Sequence, residues 1–252
     1  MAVKPLYGPR ELNAADVAGG RTDPHYKRVL VRLLAAHALA EKLTAAGYQR
    51  ALDNIADPYL RPTIEKNLIE ERKHARLVYR ILGELGINEE AADRTMIPVI
   101  KLPSFDAPRH FASRAADEID LLMGSLALDM TGLLMIGINY RDSSYAPHSR
   151  AAEIIVEEEA DHEVFATDLL SSAIEKYGAA RIQRAFGEWL PRAVNFFGPP
   201  GSGFTYDCLQ FGLKARDNQD LAELYLSMLQ RRAEQIGINL PRLTSEYPHA
   251  LV

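Results

Sequence analysis

The stretch Glu70-Glu71-Arg72-Lys73-His74 returns 88 residues later as Glu158-Glu159-Ala160-Asp161-His162. Each Glu-x-x-His has a lone carboxylate 30 residues before its second glutamate, Glu41 in the first half and Asp129 in the second. Under one shift, Glu41, Glu71 and His74 superpose on Asp129, Glu159 and His162. Both halves read as helical. The pattern describes a two-metal carboxylate site inside a four-helix bundle.

The spacing carries the argument. Glutamate and histidine three apart lie on one side of a helix, about one turn apart, and can reach a common point. A 30-residue interval lets the chain leave Glu41, turn and return, placing Glu71 opposite Glu41 on an antiparallel neighbour; the second half repeats this for Asp129 and Glu159. Four ionised carboxylates in one dry core would repel, and each buried charge is costly without compensation. Two divalent cations would supply +4 against −4, and hard oxygen with imidazole suits iron or manganese. Two iron ions are the expected cofactor, with manganese compatible. Alone, each Glu-x-x-His is an ordinary pair on a solvated helix; six residues in register, several inside apolar stripes, favour metal. Register selects Glu159 and Asp129 over the flanking Glu157, Glu158, Glu163, Asp117, Glu118 and Asp120. His37 and Ser125, one turn before Glu41 and Asp129, also share the shift. They read as supporting groups or as satisfied core residues.

Along the chain, residues 1–24 carry Gly8, Pro5, Pro9, Gly19, Gly20 and Pro24 without periodicity, and read as an extended N-terminal arm. Residues 25–252 read as a single helical domain, with the metal-binding bundle at about 25–177 and C-terminal helices over 179–240. The first helix is expected from Pro24 to Asp53 and the second from Pro62 to Gly86, a C-terminal glycine. Its outer face carries Arg72, Lys73, Arg76 and Arg80, read chiefly as a solvated face. Residues 87–112, with Pro98, Pro103 and Pro108, read as a long crossover connection. The third helix is expected over Ser113–Tyr140, the fourth over Pro147–Tyr177 and a fifth over Ala179–Phe197. Gly198 to Gly203 reads as a breaker loop, and a last helix as Asn218–Ile236. No β pattern appears. The fold class is all-α.

Composition bounds the rest. The chain has 252 residues, 47% hydrophobic and 25% charged, as expected of a globular protein that can bury a sizeable core. A net charge of −5 gives no support to nucleic-acid binding. Cys208 is the only cysteine, so this chain alone forms no disulfide, cysteine zinc site or iron–sulfur cluster. No secretory signal is read near the start, and a cytoplasmic location is expected. Ile119 to Ile138 is apolar enough to be a membrane span, but Asp120, Asp129 and three glycines favour a buried central helix.

The flanking text resembles a known family. Ala40 to Arg50, Ile69 to Tyr79, Glu157 to His162 and the run Gly212-Leu-Lys…Asn218…Ala233 to Pro241 resemble the phenylacetic acid catabolic family of the ferritin-like diiron carboxylate proteins. The resemblance implies a ferritin-like bundle with one long crossover, and O2 activation at a diiron centre by a monooxygenase or epoxidase. It implies an aromatic acyl-CoA thioester as substrate, a metal-free paralogous helical subunit and an external reductase. The metal-free paralogue has lost ligands, whereas all six positions are filled here. With no flavin or nicotinamide motif in the chain, electrons are expected from a partner. Leu34, Leu126, Met130 and Phe165 are expected to wall the reaction space. A homodimer or hetero-oligomer is expected. Three other readings stay open: a scaffold subunit with residual or absent metal, a ferritin-type ferroxidase, and a tRNA-base hydroxylase. An apolar channel to the metals favours the oxygenase, a basic groove the tRNA enzyme, and salt-bridged ligands the scaffold.

Overall fold

Two long antiparallel hairpins define the architecture. In the computed structural model, which describes residues 3–235 and 237–240, the elements run α1 (Ala14–Ala18), α2 (Tyr26–Asn54), α3 (Arg61–Glu84), α4 (Glu89–Met96), α5 (Asp106–Arg114), α6 (Glu118–Leu134), α7 (Ala146–Tyr177), α8 (Ala179–Phe196), α9 (Gly203–Gln210) and α10 (Asn218–Gln235). A 3-10 turn precedes α5, and α6 widens into a π-helical turn over Met135–Tyr140. Among the described residues there is no strand, only a single parallel bridge between Leu12 and Tyr145. The expected helix end at Ile236, the Pro241 ending and the domain limit at 252 fall outside the described residues.

Sequence chemistry accounts for ends of three of the four long helices. Pro62 and Pro147 sit in the first turns of α3 and α7, where a missing N–H costs nothing. Gly86 and Gly178 follow the same two helices with φ of +79° and +80°, a conformation that carries a Cβ penalty for other residues. The Asp117 carboxylate caps α6, accepting hydrogen bonds from the backbone of Ile119 and Asp120. α2 pairs with α3, α6 with α7, and the hairpins join through α3 against α7 and α2 against α6.

Residues 85–117 make the long crossover, but not as an irregular connection. They contain α4, the 3-10 turn and α5. The prolines read as breakers sit at the starts and edges of these short helices, where they are tolerated. The third helix accordingly starts at Glu118 rather than Ser113, because α5 ends in a bend at Ala115 and Ala116. α1 and α9 were likewise not expected. α1 is set by a reciprocal capping box between Asn13 and Asp16. The arm lies against the body: Leu6 N–H donates to the Gln210 carbonyl, Leu12 N–H to that of Ser144, and Leu12 is buried.

The apolar rod Glu118–Tyr140 is packed inside the protein, with Leu121 to Thr131 all buried, so it is the central helix expected of a bundle. α5 locks it in place. The Phe111 ring of α5 lies between Gly47 of α2 and Gly124 of α6, and an added Cβ at either glycine would stand 2.1 Å from a ring carbon. Tyr48 and Trp189 meet the same ring edge-on.

This wedge predicts a coupled effect on stability. Gly124→Ala should cost about 1–3 kcal/mol by overpacking, and Phe111→Ala about 3–5 kcal/mol by leaving a cavity. Chemical denaturation should find that the double variant costs less than the sum, because the truncated ring no longer clashes. Additive costs would contradict the wedge.

Candidate metal centre

All six carboxylate and imidazole residues picked out by the 88-residue shift meet at one level of the bundle. Glu41, Glu71, His74 and Glu159 each offer a ligand atom within 4.8 Å of the others, and so do Glu71, Asp129, Glu159 and His162. Glu71 and Glu159 belong to both groups. Glu41 and His74 complete one, Asp129 and His162 the other. None of the six is more than 6% exposed.

The layer divides the apolar core in two. On α3, Leu68 belongs to one cluster and Val78 to the other, with Glu71 and His74 between them. On α7, Ile155 and Ala166 flank Glu159 and His162 in the same way. The helices thus carry the polar groups at a single height inside otherwise continuous apolar faces.

Residues that the sequence reading set aside orient both histidines. His74 Nε2 is 2.8 Å from Glu158 Oε2 on α7, while His162 Nε2 is 2.9 Å from Glu70 Oε2 on α3. Each histidine is thereby turned so that Nδ1 faces the carboxylates: His74 Nδ1 lies 3.8 Å from Glu41 and 3.7 Å from Glu159, and His162 Nδ1 lies 3.4 Å from Glu71. Glu70 and Glu158 are themselves related by the 88-residue shift, so the signal was present in the doubled Glu-Glu. Lys73, read as part of a solvated face, pairs with the other oxygen of Glu158. Such partners fix the ring orientation of a metal-binding histidine.

The two lone carboxylates are held as well. His37 Nε2 is 2.8 Å from Glu41 Oε1, and its Nδ1 is 3.1 Å from Nε2 of the buried His148. Tyr48 donates its hydroxyl to Asp129 Oδ2 at 2.8 Å, and that hydroxyl is 2.9 Å from Ser125 Oγ and 3.3 Å from Asn67 Nδ2. His37 and Ser125 are therefore supporting groups. Tyr48, Asn67 and His148 join them without any sequence signal beyond lying in apolar stripes. Glycine at 132 leaves room for Glu159, since a Cβ there would stand 3.2 Å from its Oε2.

What remains unpaired points to a cation. Glu71 Oε2, His74 Nδ1, Asp129 Oδ1, Glu159 Oε2 and His162 Nδ1 are buried without a hydrogen-bond partner. Five orphaned atoms from five of the six residues, on one shared space, would be a severe cost in a site meant to stay metal-free. Among the described residues no lysine or arginine forms an ion pair with any of the six. The donor set fits two divalent ions with oxygen and nitrogen preferences.

Without a cation the electrostatics stay unresolved. Burial, then repulsion from Glu41, pushes the Glu71 carboxyl well above the usual carboxylate range. Burial and the charge of Glu71 do the same to Glu159. Burial raises Asp129 to about 6, against the opposing pull of His162 and the Tyr48 hydroxyl. Burial would raise Glu41 too, but the His37 hydrogen bond and the nearby His74 imidazole outweigh it and hold that carboxylate low.

A cavity of about 370 Å³ opens onto this layer, touching Glu41, Glu71, Asp129 and Glu159. Its walls are Leu33, Ala36 and Ala40 of α2, Leu128 and Gly132 of α6, Met135, Ile136 and Tyr140 of the π turn, and Phe105, Phe196, Phe197 and Phe204. The expected wall residues Leu34, Leu126, Met130 and Phe165 do not line it. Leu126 and Met130 are each two residues from Leu128, roughly 200° around the helix, and so face the core behind it. Leu34, one residue from Leu33, packs into the other core cluster, and Phe165 packs against the first.

This all-helical fold is ferritin-like. It matches the solved structure of a Synechococcus protein with aldehyde deformylating oxidase activity at a TM-score of 0.65 and 17% identity, over 86% of this chain and 93% of that one. The sequence profile of the phenylacetic acid catabolic protein family matches residues 67–248, well over half of the chain, and the chain belongs to that family. No curated protein sequence matches it.

The raised carboxyls predict that cation binding expels protons. Burial and mutual repulsion favour the protonated forms of Glu71 and Glu159 when no cation is present, and both must ionise to ligate, so affinity should rise with pH. Titrating Mn(II) into metal-free protein in two buffers of unlike ionisation enthalpy should reveal release of about one proton or more per chain. No release would contradict these pKa directions.

Proposed function

We propose that this protein is the diiron component of an O2-dependent oxygenase acting on an apolar organic substrate. The observation that carries the reading is the cavity: an apolar space whose floor is four carboxylates of a six-ligand cluster. Glu41, Glu71, Asp129, Glu159, His74 and His162 would hold two iron ions there. Reduced iron held there would supply binding positions and electrons for O2, and insertion of one oxygen atom would consume O2, two electrons from the reductase and two protons and release water.

The chain's own residues prepare that chemistry. Glu70 and Glu158 turn both imidazoles inward, and Tyr48 and His37 fix Asp129 and Glu41, so the ligands need little rearrangement. The aliphatic and phenylalanine walls keep bulk water from the layer and favour an apolar group beside it. The buried chain Glu41–His37–His148 runs from the lone carboxylate of α2 to α7 and holds the His37 ring against Glu41. Electrons come from a separate reductase in this reading, and a paralogous helical subunit or a second copy completes the assembly.

Membership of the phenylacetic acid catabolic family supports an aromatic acyl-CoA thioester as one substrate class; the cavity supports an apolar body. The rival readings fit less well. A ferroxidase has no use for an apolar cavity of this size, the scaffold reading calls for salt-bridged ligands, and a tRNA enzyme calls for a basic groove. Among the described residues the cationic side chains lining the cavity are Arg32 and Lys214.

The test is iron content followed by O2 uptake. Protein loaded anaerobically with Fe(II) should retain about two irons per chain, and Glu71→Ala and Asp129→Ala should lose most of that iron while keeping the helical circular dichroism. The loaded protein should consume O2 on a stoichiometric scale. Uptake of many irons per chain would make it a storage protein, and no retained iron would remove the oxygenase reading.

A further inference from the structure

The end of the cavity away from the metal layer holds a charged group that the proposed chemistry does not use. Lys214 lines the cavity, and its residue is only 6% exposed. Its Nζ donates to Asn218 Oδ1 at 2.7 Å, and no carboxylate among the described residues lies within ion-pair distance. Around it the cavity offers neutral polar groups: Asn218, whose Nδ2 donates to the Pro199 carbonyl at 3.1 Å and to Thr205 Oγ1 at 2.9 Å, and Ser202, whose Oγ donates to Thr205 Oγ1 at 2.9 Å and leaves the Thr205 hydroxyl hydrogen free. The rest of that end is Phe196, Phe197 and Phe204, with the exposed Arg32 guanidinium over the Phe204 ring at 4.3 Å.

The backbone fixes how far this lies from the ligands. The two residues after Lys214 donate their N–H groups to Asn139 Oδ1 at 3.2 and 2.8 Å, anchoring the segment to the last turn of the π helix. Asp129 stands ten residues before Asn139 on the same rod, on the order of 15 Å along the axis. On α2, Arg32 stands nine residues before Glu41, roughly 14 Å away. The cavity is therefore elongated, with carboxylates at one end and a buried cation at the other.

We infer that the cavity takes an apolar substrate ending in a carboxylate, with the Lys214 ammonium and the Thr205 hydroxyl holding that carboxylate, Asn218 steadying both, and the apolar body reaching back to the metal layer. This rests on the cavity being the substrate site of the proposed oxygenase, and it selects a free acid over the acyl thioester that family membership also supports. A buried ammonium with only neutral partners is costly until an anion joins it, and a charge-assisted hydrogen bond in this dry setting is a strong one. Burial pulls the Lys214 ammonium below its ordinary range, offset only in part by Cys208 and Asp217; an arriving carboxylate supplies the missing counter-charge. A neutral thioester carbonyl would not.

The test is calorimetric titration with octanoate, its neutral isostere octanamide, and the octanoyl thioester of N-acetylcysteamine. Each is titrated into wild type and Lys214→Met, both anaerobically iron-loaded and metal-free. Octanoate should bind wild type about tenfold or more tighter than either neutral compound. Lys214→Met should weaken octanoate by a similar factor and leave octanamide within about twofold, in both metal states. Equal or tighter binding of the amide or thioester to wild type overturns the inference. So does octanoate binding that ignores the substitution, which would place its carboxylate on the metals. If Lys214→Met fails to fold, the acid-against-amide ratio in wild type decides alone. Failure of the oxygenase reading would appear separately, as absent iron, with the metal-free comparison intact.

Discussion

Four carboxylates and two imidazoles buried at one height of a helical bundle form the constraint on which the rest of this structure depends. Two apolar clusters press on the layer from above and below, so its charge is largely withdrawn from bulk water. The protein answers in two ways. A ring of hydrogen bonds from Glu70, Glu158, His37 and Tyr48 satisfies the outward atoms of the ligands. The inward atoms stay unsatisfied, and two divalent cations are the economical means of settling them.

That demand governs the helices. Each of α2, α3, α6 and α7 must bring a polar residue to the same level while keeping apolar stripes on either side, and each histidine needs a carboxylate from the opposing helix to orient it. The reciprocal pairs His74–Glu158 and His162–Glu70 therefore stitch α3 to α7 as well as aiming the rings. The cavity exists because the fourth side of the layer is left to small and flexible groups: Ala36, Ala40, Gly132 and Met135 give way where larger side chains would fill the space. The widened turn at Met135–Tyr140 lets the end of α6 bend around the opening, a common role for π turns at functional sites.

Much of this was legible in the chain. The six residues stand out because duplication preserved both the helical i, i+3 spacing and the up-and-back interval, and helix periodicity survives without tertiary knowledge. Gly86 and Gly178 marked helix ends for a similar local reason. Glu70 and Glu158 were equally in register but were given no role, since only packing reveals that they face a histidine across helices. The short helices α4, α5 and α9 escaped because eight or nine residues give barely two turns of period, and their prolines read as interruption. The capping box at Asn13 and Asp16 was a readable sign of α1. The cavity wall went wrong by helical phase, two positions on α6 and one on α2, because an all-apolar helix gives no clue to which side faces a void. Phe111 between two glycines and the solitary Lys214 are purely tertiary features.

The measurement that bears most directly on the central claim is a crystal structure of the iron-loaded protein with anomalous data collected at the iron edge. The account predicts two anomalous peaks, one among Glu41, Glu71, His74 and Glu159, the other among Glu71, Asp129, Glu159 and His162. A single peak elsewhere, or an iron-free layer with the carboxylates drawn into hydrogen bonds with one another, would contradict it.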